Sequence, residues 1–161
     1  MDKKEKIKEI MEQARIGMFV TQSNNQLYSR PISISKVEED GRIYFFTDIG
    51  SEKVTEILQN DQVNFSFSNI GKNEYVSVSG TAKVIIDQDK VDELWNFMVK
   101  VWFPEGKESE DLTLIEVQPE TVEYWDDSSS KVMLMYNMAK ALATGKSYED
   151  VADAENDVVR Y

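Results

Sequence analysis

The first half of the chain has the hydrophobic spacing of one helix followed by a series of strands. In residues 3–15 the apolar positions recur at helical spacing among charges, which predicts an amphipathic helix. Beyond it, apolar and polar residues alternate with a period of two, which is typical of strands that bury one face. This alternation predicts strands over residues 17–22, 27–37 and 42–48, with tight turns at residues 23–26 and 39–41.

The second half begins with a short helix and continues with further strands. A helical pattern runs from Ser51 to about Asn60, and strand-like alternation follows. Gly80 interrupts the longest strand and predicts a bulge or bend of the kind that a small barrel requires. The remaining elements are strands over residues 63–68, 74–86, 112–117 and 121–125 and helices over residues 87–101 and 131–143. The whole pattern predicts a mainly β (α+β) fold, an antiparallel barrel of six or seven strands with flanking helices.

The C-terminal part leaves two interpretations open. The helix predicted over residues 131–143 has apolar residues on most of its faces, so it is either one more core helix or a helix packed at a subunit interface. Residues 146–161 are acidic and are typical of a tail that frays or lies against a partner. The sequence therefore predicts one domain over residues 1–145 and an acidic C-terminal tail over residues 146–161.

Composition narrows the range of functions. The 161 residues include 30 acidic and 18 basic ones, a formal net charge of −12, and such a surface repels nucleic acid and anionic lipid. Because the chain contains neither histidine nor cysteine, no metal ligands are assigned, and His-based catalysis and disulfides are excluded. No apolar run is long enough to cross a bilayer and the N-terminus lacks a secretory leader, so we expect no membrane partner and a cytoplasmic location. Any redox chemistry requires a bound organic cofactor.

A small concentration of positive charge stands out in this acidic chain. Ser51 lies between a strand and a helix, where it suits the N-cap position, and the unpaired backbone N–H groups there attract anions. Lys53 in the first helical turn opposes the helix dipole, which is reasonable if an anion binds beside it. Arg30 on the neighbouring strand is suited to bind a phosphate with two hydrogen bonds. Alternatively, Arg30 pairs with one of the many carboxylates and Ser51 is only a helix cap.

The motifs around these residues resemble a known family. Arg30-Pro-Ile-Ser33 and Phe45-Phe-Thr-Asp-Ile-Gly-Ser-Glu-Lys53 are similar to motifs of the flavin-binding split barrels related to pyridoxamine 5'-phosphate oxidase. Trp102-Phe-Pro-Glu-Gly106 and Val122-Glu-Tyr-Trp-Asp126 are most similar to the general stress protein 26 branch. The resemblance covers roughly residues 5–145. It implies a split β-barrel, FMN as cofactor with FAD as the alternative, and a homodimer with flavin sites at the subunit interface.

The resemblance also implies roles for individual residues. The flavin phosphate would be bound by Arg30, Ser51 and Lys53. The isoalloxazine ring and the ribityl chain would be lined by Pro31, Ile32, Ser33, Phe46 and Thr47. The second subunit would contribute Tyr75, Ser77 and Trp125. Without the resemblance, Trp125 would be read as a core or interface tryptophan.

The substrate half of the site departs from the oxidases. They carry Arg-x-His-x-Arg where this chain has Lys131-Val-Met-Leu-Met135, so the cations that would hold a vitamin phosphate are mostly missing. We therefore do not expect pyridoxamine phosphate oxidase activity, and no catalytic residue is assigned. Three hypotheses remain. The first is a flavin-dependent oxidoreductase with an unknown small-molecule electron donor or acceptor, and the second is a non-catalytic flavin-binding module that acts as a reservoir, sensor or scavenger. The third is an acidic interaction protein that has lost the flavin.

Overall fold

The structure, a computed structural model, describes residues 2–126, 131–145 and 156–161. Within these ranges the chain forms five α-helices and eight strands. The helices are α1 (Lys3–Ala14), α2 (Glu52–Gln59), α3 (Gln88–Leu94), α4 (Phe97–Trp102) and α5 (Lys131–Thr144). The strands are β1 (Ile16–Ser23), β2 (Gln26–Ser33), β3 (Lys36–Val37), β4 (Ile43–Asp48), β5 (Gln62–Asn69), β6 (Glu74–Ile85), β7 (Leu112–Asp126) and β8 (Asn156–Arg160).

All strand pairs in the sheet are antiparallel, in the order β2-β1-β5-β6-β7-β4-β3, and β8 pairs with β7 outside this path. The predicted fold class, a mainly β antiparallel sheet with flanking helices, is confirmed, with eight strands in the described chain instead of six or seven. No helix in these ranges has both the length and the apolar character that crossing a bilayer requires.

Two local features that the sequence predicted set the shape of the sheet. Asn24 and Asn25 join β1 to β2 with φ angles of 51° and 61°, the left-handed conformation that a two-residue hairpin turn needs. At Gly80 the register between β6 and β7 shifts, so the predicted bulge is present. A Cβ atom at Gly80 would lie 2.0 Å from the carbonyl oxygen of Gln118, so only glycine allows the two strands to approach this closely.

Aromatic side chains fill the concave face of the sheet. The rings of Phe19, Phe45 and Phe65 are fully buried and meet edge to face, with centroids 5.1 to 5.9 Å apart. Ile7 and Ile10 of α1 close the same core cluster from one side. This core holds the strands that carry the candidate site in fixed positions.

The two outer strands of the sheet order are neighbours in sequence. The predicted strand over residues 27–37 is divided into β2 and β3, because the backbone N–H of Ile34 bonds to Arg15 while that of Ser35 bonds to Tyr44. The chain therefore leaves β1 and joins β4 within two residues. The sheet curls so that β2 and β4 diverge from this point.

One predicted helix is also divided. The sequence predicts a single helix over residues 87–101, and this prediction was wrong, because α3 ends at Leu94 and α4 begins at Phe97. The side chain of Asn96 accepts hydrogen bonds from the backbone N–H groups of Met98 and Val99, at 2.9 and 3.1 Å. Asn96 is thus a helix N-cap, a position that starts a new helix.

The C-terminal residues 156–161 are part of the sheet. Strand β8 pairs with residues 121–125 of β7, and the ring of Tyr161 packs against Gly41. These residues lie in the segment that the sequence assigns to an acidic tail, of which residues 146–155 lie outside the described chain. Helix α5 is present as predicted, but the side chains of residues 131–137, on which the choice between core and interface depends, also lie outside it.

Candidate functional site

A cleft of about 500 Å³ opens where β2 and β4 diverge. Its floor comes from the end of β2 and the start of α2, and α4 forms the facing wall. The lining residues are Pro31, Ile32, Ser33, Ile34, Ser35, Phe46, Thr47, Asp48, Lys53, Asn96, Met98, Val99, Trp102 and Phe103. Six of the eleven residues that the resemblance singled out are therefore together in one cleft: Pro31, Ile32, Ser33, Phe46, Thr47 and Lys53.

The strands place these residues for local reasons. Pro31 has no backbone N–H to donate and lies on β2, an end strand of the sheet, where this lack is tolerated. Thr47 is buried beside β7, while Phe46 faces the cleft half-buried and meets the ring of Trp95 edge to face at 6.1 Å. The cleft thus combines apolar rings with hydroxyl groups, the mixture typical of cofactor and small-molecule sites.

Lys53 is the cation of the cleft. Its Nζ donates to the hydroxyl of Thr47 at 3.0 Å, and in the described part of the chain it forms no ion pair. Burial lowers the pKa of Lys53 below its ordinary value of 10.5, and the positive charge of Arg30 lowers it further, while the charges of Asp48 and Glu56 act in the opposite direction. The ammonium is thus partly removed from water without an ion pair in the described chain, an arrangement that a bound anion would relieve.

Arg30 is held by a buried pair of side chains. Its Nη1 donates to the hydroxyl of Thr21 at 2.6 Å, and its Nη2 lies 2.7 Å from the carboxylate of Glu56 on α2. Thr21 donates to the same carboxylate oxygen at 2.5 Å. The alternative interpretation, an arginine paired with a carboxylate, is thus what the structure shows. The carboxylate belongs to the helix that begins at Ser51, and the two bonds use only two of the five N–H groups of the guanidinium.

Ser51 occupies the N-cap position of α2, as predicted, but forms no capping hydrogen bond. Its backbone is extended, with φ −71° and ψ 149°, and its N–H bonds to the carbonyl of Asp48. The Oγ atom is buried and, within the described chain, has no hydrogen-bond partner. Such an unpaired hydroxyl costs about 1–3 kcal/mol, so a ligand group that bonds to it would be stabilised here.

The three residues assigned to a second subunit lie elsewhere. Tyr75 and Trp125 face each other across β6 and β7, and Ser77 lies opposite Glu123 in the same pair of strands. None of the three lines the cleft of its own chain. Trp125 is 37% exposed, so it is a surface residue and not a core tryptophan.

Sequence reasoning missed the partners of Arg30 and most of the residues in and after α4 that line the cleft. Thr21 gave a weak signal, because it is a polar residue in the inward-facing row of β1 that also contains Phe19. Glu56 gave none, since an acidic residue on a helix of an acidic protein is usually solvated. On α4, the motif from Trp102 had been noted, but its position against the cleft depends on the cap at Asn96.

Comparison with known proteins identifies the class. Residues 2–149 match the model of the pyridoxamine 5'-phosphate oxidase-like family, so the chain belongs to this family. The resemblance carried by the sequence motifs is therefore confirmed.

Solved structures of general stress proteins are similar to this chain. General stress protein 26 from Bacillus anthracis str. Sterne is 30% identical, with a TM-score of 0.69 over 77% of this chain and 94% of its own. The general stress FMN/FAD binding protein of Xanthomonas citri is 26% identical, with a TM-score of 0.69 over 79% of this chain and 89% of its own. A candidate general stress protein 26 from Jannaschia sp. CCS1, 23% identical, matches 98% of this chain and 97% of its own with a TM-score of 0.74, and supports the same split-barrel fold.

Proposed function

We propose that the protein binds FMN in the cleft between β2, β4 and α4, with the phosphate at the start of α2. The observation that carries this proposal is the state of Lys53, a partly buried ammonium near the charge of Arg30 with no ion pair in the described chain. The partnerless hydroxyl of Ser51 and the free N–H groups at the start of an eight-residue helix add donors suited to a phosphate. The residues present thus fit a phosphate-bearing ligand.

The rest of the cleft suits the flavin ring. Pro31 to Ser33 of β2 and Phe46 to Thr47 of β4 line the cleft, and we place the isoalloxazine along these two strand segments. The Xanthomonas citri relative, whose name describes it as FMN/FAD binding, supports a flavin as the cofactor. We favour FMN over FAD because the cradle at Ser51 and Lys53 provides for one phosphate group.

A complete site would need a second copy of the chain. The outer face of the sheet carries Tyr75, Ser77 and Trp125. On this face Met18 of β1 lies opposite Ser66 of β5, which lies opposite Ser77 of β6. Met18 is 43% exposed on this face, beside Pro31 of the cleft. A homodimer that buries the face would bring the partner's aromatic side chains towards the flavin, as we propose.

Bound FMN supplies hydride and electron transfer, while the chain supplies binding and orientation. The charged groups among the described residues that line the cleft are Asp48 and Lys53, and neither is placed as an obvious proton donor to a substrate. We propose a flavin-dependent oxidoreductase of the stress-protein branch, whose substrate is not a vitamin phosphate. The non-catalytic alternative is distinguished by whether the loaded protein oxidises reduced nicotinamide faster than free FMN does.

The test is a pair of absorbance titrations with FMN and riboflavin, which differ only in the phosphate. The wild type should bind FMN more tightly, and Lys53→Ala should weaken FMN by about 1.5–3 kcal/mol, or roughly 10- to 150-fold, without affecting riboflavin. Lys100→Ala is the matched control, because Lys100 is exposed on α4 outside the cleft. Equal losses for both ligands would contradict the phosphate role, and a wild type that takes up neither would contradict the flavin site itself.

A further inference from the structure

Helix α4 exposes an unusual amount of apolar surface. Four of its six residues are large apolar side chains exposed to 61–79%: Phe97, Met98, Val101 and Trp102. Val99 is its buried residue. A contiguous apolar patch of this kind beside a cleft is typical of a surface that binds a ligand.

The helix divides these side chains between two directions. Met98, Val99, Trp102 and Phe103 line the cleft, with the spacing of residues that share one helical face. Phe97, equally exposed, does not line it. The cap at Asn96 fixes where the helix begins and therefore which side chains point to the cleft. We call the four lining residues the α4 wall.

Charge is distributed unevenly in the cleft. Asp48 and Lys53 lie where β4 ends and α2 begins, at the proposed phosphate position. The described residues of the α4 wall and of the segment from Pro31 to Ser35 carry no charge. An anion at the wall would lose its hydration and find no cation in return, at a considerable cost in free energy.

From these observations we infer that the α4 wall binds an uncharged planar aromatic molecule next to the flavin. The inference rests on the proposed function, because a flavin ring placed along the β2 and β4 segments, as proposed, would leave the wall free. The indole of Trp102, the ring of Phe103 and the thioether of Met98 are groups that stack well on flat rings. The ligand class is therefore neutral bicyclic compounds such as simple quinones, and a phosphorylated vitamer is not accepted here.

The experiment measures binding of menadione to the FMN-loaded protein by equilibrium dialysis, with no turnover required. Trp102→Ala should raise the Kd for menadione by about tenfold more than it raises the Kd for FMN. Phe97→Ala is the matched control, an equally exposed aromatic residue on the same helix outside the cleft, and should change neither value. Naphthoquinone sulfonate, which adds one negative charge, should bind about tenfold more weakly than menadione.

Several outcomes would overturn the inference. Competition between menadione and riboflavin, with both weakened in Trp102→Ala, would show that the wall covers the flavin ring itself. A Trp102→Ala protein that binds menadione normally but dissociates into monomers would assign the wall to the subunit interface. Equal binding of the neutral and sulfonated probes would remove the requirement for an uncharged ligand.

Different results would refute the proposed function and this inference. A wild type that takes up menadione through Trp102 but binds no FMN would refute the cofactor and leave the aromatic subsite supported. A wild type that binds FMN with Lys53-dependent affinity, yet shows no effect of Trp102→Ala on menadione, would refute the subsite alone.

Discussion

The guanidinium of Arg30 lies 2.7 Å from the carboxylate of Glu56, a side chain that is only 10% exposed. This pair is nearly neutral as a unit, so the remaining sources of positive potential at the start of α2 are Lys53 and the helix N-terminus. Glu56 and Thr21 also fix the orientation of the guanidinium, because both bond to it. In the proposed site, Arg30 would therefore act as a positioned hydrogen-bond donor whose charge is already offset by Glu56.

Replacing that carboxylate should make the site more selective for phosphate. We expect Glu56→Gln to tighten FMN binding by about 1 kcal/mol, roughly fivefold, because the amide keeps an acceptor for Arg30 without the negative charge. Riboflavin affinity should not change. Isothermal titration with the two flavins checks this; a selective loss of FMN would instead mean that the charge of Glu56 is needed to hold Arg30 in place.

Lys53 should lower the stability of the flavin-free protein and strengthen its binding of FMN. Burial disfavours its ammonium, so Lys53→Met should raise the free energy of unfolding of the flavin-free protein by roughly 0.5 kcal/mol near neutral pH. The same variant should lose most of the stabilisation that saturating FMN gives the wild type. Urea unfolding with and without FMN measures both quantities, and a variant that is less stable without flavin would contradict the explanation.

The lowered pKa of Lys53 also predicts a pH dependence. The ammonium is the form that binds phosphate, so FMN affinity should fall as pH rises through the pKa of Lys53, which lies below the ordinary 10.5. The cost of burying the ammonium is also present in full below that pKa and fades above it. The gain in unfolding free energy from Lys53→Met should therefore shrink at alkaline pH. Riboflavin titrations over the same range serve as the control and should be flat.

The buried carboxylate of Glu116 should support the fold above pH 4.5. Burial would raise its pKa, but the hydrogen bond from Tyr44 at 2.5 Å and the charge of Lys83 at 3.0 Å outweigh burial and lower the pKa below 4.5. Its stabilisation is therefore full above 4.5 and is lost as pH falls through the lowered value. Tyr44→Phe should cost about 1.5–3 kcal/mol in urea unfolding at pH 7 and less at pH 3.

Tyr28→Phe is the matched control for that experiment. Tyr28 is 37% exposed, and its hydroxyl makes a long bond of 3.3 Å to Gln26, so its loss should be within about 0.5 kcal/mol. Similar losses of unfolding free energy in the two variants would show that the hydrogen bond from Tyr44 to Glu116 contributes no more than an exposed one.

Gly80 should be the least replaceable glycine in the sheet. A methyl group there would collide with the backbone of Gln118 at 2.0 Å, so Gly80→Ala should destabilise by about 3 kcal/mol or more. Gly71→Ala, where the nearest atom is 3.9 Å away, should be nearly neutral. Thermal unfolding of the two variants tests whether the bulge depends on this close approach.

The sequence predicted well wherever structure depends on a few neighbouring residues. The turn at Asn24 and Asn25 follows from the left-handed conformation that asparagine tolerates, and the bulge at Gly80 from the close backbone approach that a missing side chain allows. The start of α2 at Ser51 is of the same kind. Alternation likewise predicted the inward rows of the central strands, because burial on one face has a period of two.

Features that depend on distant contacts were not predictable. The division between β2 and β3 depends on hydrogen bonds to Arg15 and Tyr44, which are remote in sequence from each other. Strand β8 depends on a free edge of β7, and its five residues, although they include Val158 and Val159, are too few for an alternating pattern to predict it. The break at Asn96 is different. Asparagine favours N-cap positions and so indicates a helix start here, but the continuous helical spacing of apolar residues was given more weight.

In the candidate site, too, features set by neighbouring residues could be predicted and those set by distant contacts could not. One contiguous motif brings Phe46, Thr47, Ser51 and Lys53 together, so their proximity could be predicted. That Arg30 points inward to Glu56 depends on the register of β2 with β1, which places Arg30 opposite the buried Phe19. The roles of Tyr75, Ser77 and Trp125 depend on a second copy of the chain and stay predictions.

The partnerless hydroxyl of Ser51 has a consequence for protein turnover. A folded chain that is stabilised by its ligand opens less often when loaded, and proteases act mainly on opened chains. If the protein binds a flavin as proposed, the flavin-free form, in which the Ser51 hydroxyl has no partner within the described residues, would be degraded first. Vitamin supply would then set how much of this protein a cell retains, independently of how strongly its gene is transcribed.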